Sequence, residues 1–494
     1  MLVRASALKY DLAFLYLAQC QRVCLLLLFG FARNHGSHAI PAYHFRQEKI
    51  MKDLLLINNR FAASAVLVIG ALSINGCAEK SPHPENFGVG ANPTLPEPEH
   101  DLIPTLKIAS AIGWPADKTP VTVKGTQVNL FAKGLDHPRW LYVLPNGDVL
   151  VAETNAPAKP DGNKGLKGWV MGLVMKRVGA AVPSANRITL LRDSTGDGVA
   201  DIQTVFLQNL NSPFGIALVG NTLYVADSDT ILGFPYHTGD KQITAPGNKL
   251  VDLPAGPINH HWTKNILASA DGTKLYVSVG SNSNVGENGM EAEAKRAAIW
   301  QVDINSGASR VFASGLRNPN GMAWEPTTGK LWTVVNERDE LGNDLVPDYL
   351  TSVIDGGFYG WPYSYYGQHI DTRIQPQRPD LVATAIAPDY ALGSHVAPLG
   401  LTSSTGTSLP STFSNGMFIG EHGSWNRRPP SGYKVVFVPF VNGQPSADPI
   451  DVVTGFLSED GDAYGRPVGV TIDKTGALLV ADDVGNTIWR VSKN

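Results

Sequence analysis

Residues 257–265 read Pro-Ile-Asn-His-His-Trp-Thr-Lys-Asn and set two adjacent histidines, His260 and His261, just ahead of a strand-like run at 275–279. An imidazole accepts a proton near neutral pH and also ligates metals, so either ring could serve as a general base or a metal ligand. The plainer reading is a pair of solvated loop side chains. Further polar clusters lie at Leu316-Arg317-Asn318-Pro319-Asn320-Gly321, at Tyr464-Gly465-Arg466-Pro467, at Glu421-His422 with Arg427-Arg428, and at Asn336-Glu337-Arg338-Asp339-Glu340. Arginine keeps its charge and grips carboxylates through paired hydrogen bonds. Brought to one mouth, these groups suit an anionic ligand beside a proton acceptor.

The elements that must position them are written as a repeat. The stretch 131–153, with Leu-Asp-His-Pro-Arg at its start and Val-Ala-Glu153 at its end, is echoed at 206–227, at 312–324 with 329–334, and at 466–472 with 476–482; degenerate copies start at His261 and around Ala397. Each copy is a short apolar strand, a Gly-containing turn such as Pro145-Asn-Gly-Asp, and a second apolar strand, which is the pattern of a hairpin. Third and fourth strands fit between copies, as at 297–303 and 433–438. Six copies of four strands predict an all-β, six-bladed β-propeller with four-stranded antiparallel blades, an architecture that leaves only short, protected sheet edges. Equivalent blade positions converge on one mouth of the central channel, and the polar clusters occupy such positions. The loop Asp193-Ser-Thr-Gly-Asp-Gly-Val-Ala-Asp201 has the look of a calcium loop but lacks a second carboxylate at Thr195; a structural Asp/Gly turn is the preferred reading.

A formal net charge of −4 over 494 residues gives no basic excess, so nucleic acid is set aside as a partner. The three cysteines, Cys20, Cys24 and Cys77, all precede the repeats, which excludes thiol chemistry from the main domain. Met51-Lys52, Arg60, an apolar run at 61–72 and Ser73-Ile74-Asn75-Gly76-Cys77 describe an export signal whose end resembles a bacterial lipobox, with Cys77 as the lipidated residue. Residues 1–50 read as an upstream extension, 51–77 as the signal, 78–124 as a Pro-rich tether and lead-in, and 125–494 as the propeller. The expected location is the periplasm or cell envelope, with a lipid anchor in the outer membrane.

Three runs together, Asn259-His-His-Trp-Thr-Lys-Asn to Val279-Gly280, Gly315-Leu-Arg-Asn-Pro-Asn-Gly-Met-Ala-Trp324 and Gly356-Gly-Phe-Tyr-Gly-Trp-Pro362, resemble the glucose/sorbosone dehydrogenase family, pyrroloquinoline quinone (PQQ) enzymes on a six-bladed propeller. The resemblance implies oxidation of a sugar or sugar-derived aldehyde, with an electron acceptor as second partner. It implies that His261 takes the proton of the anomeric hydroxyl while hydride passes from C1 to the quinone, with His260 as its neighbour. It places Arg317 and Asn318 at the quinone oxygens, Arg466 on a cofactor carboxylate, and one of Arg427 and Arg428 in a similar task. It also implies calcium at the loop Glu337-Arg338-Asp339, which lacks the family's Gly-Pro. Where the glucose enzymes carry an aspartate behind the histidine, this chain has Ser281, which brings it nearer the sorbosone-type branch. A calcium-dependent lactonase-type hydrolase and a non-catalytic cell-surface binding propeller are the alternatives.

Overall fold

The repeated stretch straddles two blades. Phe131, Phe206 and Phe312 lie in the outermost strand of one blade, and the Pro-containing segment after each opens the innermost strand of the next. The computed structural model describes residues 80–99, 107–157, 179 and 182–494. These form six antiparallel blades. Blade 1 runs outward through Pro138–Val143, Val149–Glu153, Arg187–Arg192 and Ile202–Leu207, and blade 2 through Ile216–Val219, Thr222–Ala226, Thr230–Pro235 and Asn248–Asp252. Blade 3 comprises Ile266–Ala268, Lys274–Val279, Ala298–Asp303 and Ser309–Ser314, and blade 4 Asn318–Trp324, Leu331–Asn336, Pro347–Ser352 and Tyr390–Ser394. Blade 5 comprises Pro398–Ser403, Gly416–Glu421, Lys434–Val441 and Ile450–Thr454, with Val121–Thr122 added at its edge. Blade 6 takes Pro467–Ile472, Leu478–Asp482 and Thr487–Lys493 from the C-terminus and its outer strand, Thr126–Lys133, from far earlier in the chain. The six innermost strands touch in a closed ring, the last against the first.

Two recurring sequence signals explain the ring. Val-Ala-acid ends the second strand of three blades, and each carboxylate, Glu153, Asp227 or Asp482, accepts the backbone N–H of the residue leading into that blade's first strand. Pro-x-Gly opens four innermost strands, and its glycine lets neighbouring blades close. A Cβ on Gly321 would stand 2.6 Å from the Leu401 nitrogen, and one on Gly400 only 2.2 Å from the Val468 oxygen. Any side chain there would wedge the inner strands apart.

Aromatic side chains fill the space between blades. Trp332 and Phe440 meet edge to face at 5.0 Å, and Tyr276 lies edge-on to Trp324 across blades 3 and 4. Each such ring, buried, contributes roughly 1.5–3 kcal/mol of hydrophobic stabilisation.

The lead-in differs from the expected tether. Residues 81–99 lie along the propeller through backbone bonds from Ser81 to Arg428, between Gly90 and Ala391, and from Glu99 to Leu341. Cys77 and the rest of 1–79 lie outside the described residues. No helix among the described residues is long and apolar enough to cross a membrane.

Candidate functional site

His261 stands in the loop before the innermost strand of blade 3, and its ring faces the end of the next strand of that blade. Its Nδ1 lies 2.8 Å from the Ser281 carbonyl oxygen and 3.0 Å from the Ser281 hydroxyl. A carbonyl only accepts, so Nδ1 carries the hydrogen and Nε2 keeps its lone pair. The carboxylate missing from position 281 is thereby replaced by a backbone oxygen, which fixes the tautomer without adding negative charge. Burial, reinforced by the charge of Arg317, holds the His261 pKa well below the ordinary histidine value, against the pull of the Ser281 carbonyl. The ring is a neutral acceptor at neutral pH. His260, by contrast, is exposed.

Gly280 makes the assembly possible, because a Cβ there would lie 2.5 Å from the His261 Cβ and 2.4 Å from Asn318 Oδ1. Asn318 Oδ1 is buried with no hydrogen-bond partner. Arg317, beside it in sequence, ties its own carbonyl to the Ser281 N–H at 2.7 Å. Its guanidinium donates to both oxygens of Asn284, to the carbonyls of Asn336 and Glu337, and to Asp339 Oδ2. All five N–H groups are thus engaged with protein.

The residues expected to hold a metal part company. Glu337 and Arg338 pair with each other at 3.0 Å, and Arg338, wholly buried, continues to Asp371 and to the carbonyls of Pro362 and Ser364. Asp339 turns instead to Arg317 and to Asn426, with His395 3.7 Å away. The carbonyls of Glu337 and Asp339 already accept from Arg317 and Arg373. Among the described residues no group of three or more His, Cys, Asp or Glu side chains is gathered to hold a metal ion. Most of these oxygens thus face arginines or the Asn426 amide, while Glu337 Oε1 is buried without a hydrogen-bond partner.

A second cluster joins blades 1, 5 and 6. Asp483 receives Arg139 Nη1 at 2.8 Å and His422 Nε2 at 2.9 Å, with His137 Nε2 at 3.5 Å. Burial opposes charge on Asp483, but His422, His137 and Arg139 hold its carboxyl far below the usual range. Burial also pushes His137 down to about 4. Arg466 lies over the Tyr433 ring at 5.1 Å and gives one N–H to the Ala109 carbonyl at 3.3 Å. The Nε atoms of Arg466 and Arg139 are both buried without a partner. Arg139 also covers the Trp262 ring at 5.9 Å, which connects this cluster to the residue after His261.

His137, Arg139, Asp483 and Asn426 join these clusters although no motif in the sequence singles them out. The only signal for the first two is their register, since His137-Pro-Arg139 occupies the place of Asn318-Pro-Asn320; for Asp483 it is the doubled acid at the end of a Val-Ala-acid motif. Arg427 faces away from both clusters, with bonds to Asp344 at 3.0 Å, Ser81 and the carbonyls of His83 and Pro84. Arg428 fixes the lead-in through its backbone. Trp361, read as blade packing, also donates to the Asn284 carbonyl at 2.9 Å, the oxygen that takes Arg317 Nε.

A family model described as TrAA12-like matches residues 182–348 and 376–494. An uncharacterized protein of Borreliella burgdorferi is 29% identical over 301 residues, 58% of this chain and 76% of that protein. The pyrroloquinoline quinone-dependent sugar dehydrogenase of Hypocrea jecorina is 23% identical over 422 residues, 75% of this chain and 88% of that one. Among solved structures, the holo form of the pyranose dehydrogenase PQQ domain from Coprinopsis cinerea has a TM-score of 0.61 at 20% identity, over 78% of this chain and all (100%) of that one. The calcium structure of the Trichoderma reesei family AA12 carbohydrate-active enzyme has a TM-score of 0.62 at 20% identity, over 79% and 99%. At such identities the structural likeness establishes the six-bladed fold.

Proposed function

The chain belongs to the TrAA12-like family of six-bladed propellers, and from that premise we propose that it is a PQQ-dependent dehydrogenase that oxidises an aldose or a sorbosone-type aldehyde with His261 as the base. The observation that carries the reading is the His261 ring, its Nδ1 bound to the Ser281 carbonyl at 2.8 Å and its pKa held low, beside the charge of Arg317.

The donor set suits a tricarboxylate quinone. Arg466 and Arg139, each with a buried, unpartnered Nε, would hold a carboxylate, and Asn318 would meet the ring system beside His261. Of the pair at 427–428, Arg427 is committed to Asp344. PQQ, when bound, supplies the hydride acceptor. His261 Nε2 takes the proton of the C1 hydroxyl as hydride leaves C1, so that a lactol becomes a lactone. The Ser281 carbonyl orients the ring as it becomes cationic, and Arg317 discourages protonation of the free base. His260 is the outer neighbour of the base. Lipidation at Cys77 and an envelope location belong to the same proposal, and they rest on the apolar run at 61–72 and the residues that follow it.

The test is to mix the purified protein with PQQ and calcium and follow reduction of an artificial dye with a panel of aldoses and sorbosone. His261→Ala should retain PQQ and lose about 10²–10⁴-fold in turnover, the range for a positioned general base. Absence of PQQ binding at micromolar concentration would sink the reading. Lactone hydrolysis without PQQ would put the hydrolase in its place.

A further inference from the structure

Three residues beyond the base, Lys264 is 0% exposed. Among the described residues it forms no ion pair. Its Nζ donates to the Trp262 carbonyl at 3.1 Å and lies 3.4 Å from the His261 carbonyl. Through space, Arg296 repels it and Asp229 attracts it. An amine buried in this way is costly to desolvate, and the buried cation in the equivalent place of blade 1, Arg139, has Asp483 as its ion-pair partner, whereas Lys264 has only carbonyls.

Its two acceptors are informative. They are the backbone carbonyls of the base itself and of the tryptophan under Arg139. The neighbouring residues pin the same short segment. The Asn265 N–H reaches the Ser278 hydroxyl at 3.1 Å, its side chain reaches the Asn320 carbonyl at 3.1 Å, and Thr263 receives Asn320 Nδ2 at 3.1 Å. Those bonds hold 263–265 to blades 3 and 4, but only Lys264 reaches back to the peptide that carries the imidazole.

We infer that Lys264 is a positioning residue for the reaction: its amine clamps the His261 and Trp262 carbonyls, and this clamp sets the angle at which the imidazole meets Ser281. The inference rests on His261 as the base, the reading given above, and acts only through that ring. A His261 backbone released by loss of the amine keeps its ring between Gly280 and Ser281 but no longer in one orientation, so the Nδ1–H···O bond loosens and Nε2 wanders from the substrate hydroxyl.

The experiment uses the full chain without PQQ first. The Nδ1–H proton bound to the Ser281 carbonyl gives a downfield proton resonance, assigned by its loss in His261→Gln. In Lys264→Met it should broaden or vanish, and in Lys264→Gln, too short to span both carbonyls, it should shift. With PQQ, Lys264→Met should lower kcat by up to about 100-fold, the scale of a misplacement of about 1 Å at a reacting group, with KM little changed and Lys264→Gln in between. A lysine that merely fills the loop predicts a lower melting temperature with the resonance and kcat of the folded protein intact, and that result overturns the inference. If Lys264→Met does not fold, Lys264→Gln decides alone by the same two readouts. Wild-type protein that fails to oxidise sugars with PQQ removes the dehydrogenase reading, while the resonance in the PQQ-free protein still decides for or against the clamp.

Discussion

His261 and Asn318 meet across a residue without a side chain: a Cβ at Gly280 would stand 2.5 Å from one and 2.4 Å from the other. The proposed base and the asparagine expected at the quinone therefore share one contact point, and it admits nothing larger than hydrogen. Gly280→Ala should push one of them aside while the rest of blade 3 stays paired. A displacement of about 1 Å at a reacting group costs on the order of 10²-fold in rate. Turnover is expected to fall by that order with the melting temperature lowered only modestly. Full activity in Gly280→Ala would show that neither side chain needs this placement.

Arg317 lowers the affinity of His261 for a proton, after burial itself the largest influence on that ring. The sign follows directly. A base with a depressed pKa remains unprotonated as pH falls below 6.5, so the acid limb of kcat/KM should lie below that value. Arg317→Met removes the repelling charge, raises the His261 pKa and should move the limb to higher pH. The variant also leaves Asp339 without its ion-pair partner, so some loss of stability is expected alongside. An acid limb at the same pH in both proteins would assign it to another group.

The fold is legible in the sequence because its signals are local and repeated. Pro-x-Gly and Val-Ala-acid each mark one position in a blade, and six copies fix the blade count. The closing strand is not legible in that way. Phe131 opens the first copy of the repeat, yet its strand pairs with Thr487–Lys493 at the other end of the chain, and no local pattern names a partner so distant. The site divides along the same line. His261, Arg317 and Arg466 occupy register positions, and the structure sets them at the inner ends of their blades. Where a side chain turns after leaving its strand depends on partners elsewhere. Arg427 and His422 sit five residues apart in one loop, but the first is drawn to Asp344 and the second to Asp483. Ser281 shows the limit most clearly: the side chain read from the sequence is uncharged, and the acceptor that orients His261 is its backbone oxygen.

His137 makes stability depend on pH. Its pKa falls from the ordinary 6.5 to about 4, mainly through burial. Above pH 6.5 the ring is neutral in both folded and unfolded chains and costs nothing. Between 6.5 and about 4 the unfolded chain takes up a proton that the folded one refuses, so stability falls through this window by at most about 3 kcal/mol. His137→Asn should flatten that decline in unfolding free energy measured from pH 7 to pH 4. Identical slopes in the two proteins would mean that His137 does not titrate on unfolding in this range.

Arg427 binds the lead-in to the propeller. Its side chain is 1% exposed, and it donates to Asp344 at 3.0 Å, to the Ser81 hydroxyl and to the carbonyls of His83 and Pro84. Arg427→Met keeps the bulk and removes the charge. Losing one member of a buried pair costs about 3–5 kcal/mol, and Asp344 retains the Ser81 hydroxyl at 2.8 and 2.6 Å, so the lower end applies. The loss should fall first on the residues nearest Arg427, because the Gly90 and Ala391 backbone bonds farther along do not depend on it. Limited proteolysis should then cut the variant between residues 80 and 90 under conditions that leave the wild type intact, with the sheet beyond residue 126 still protected. PQQ affinity should survive the substitution. A large loss of PQQ binding with an uncut lead-in would return Arg427 to the cofactor site.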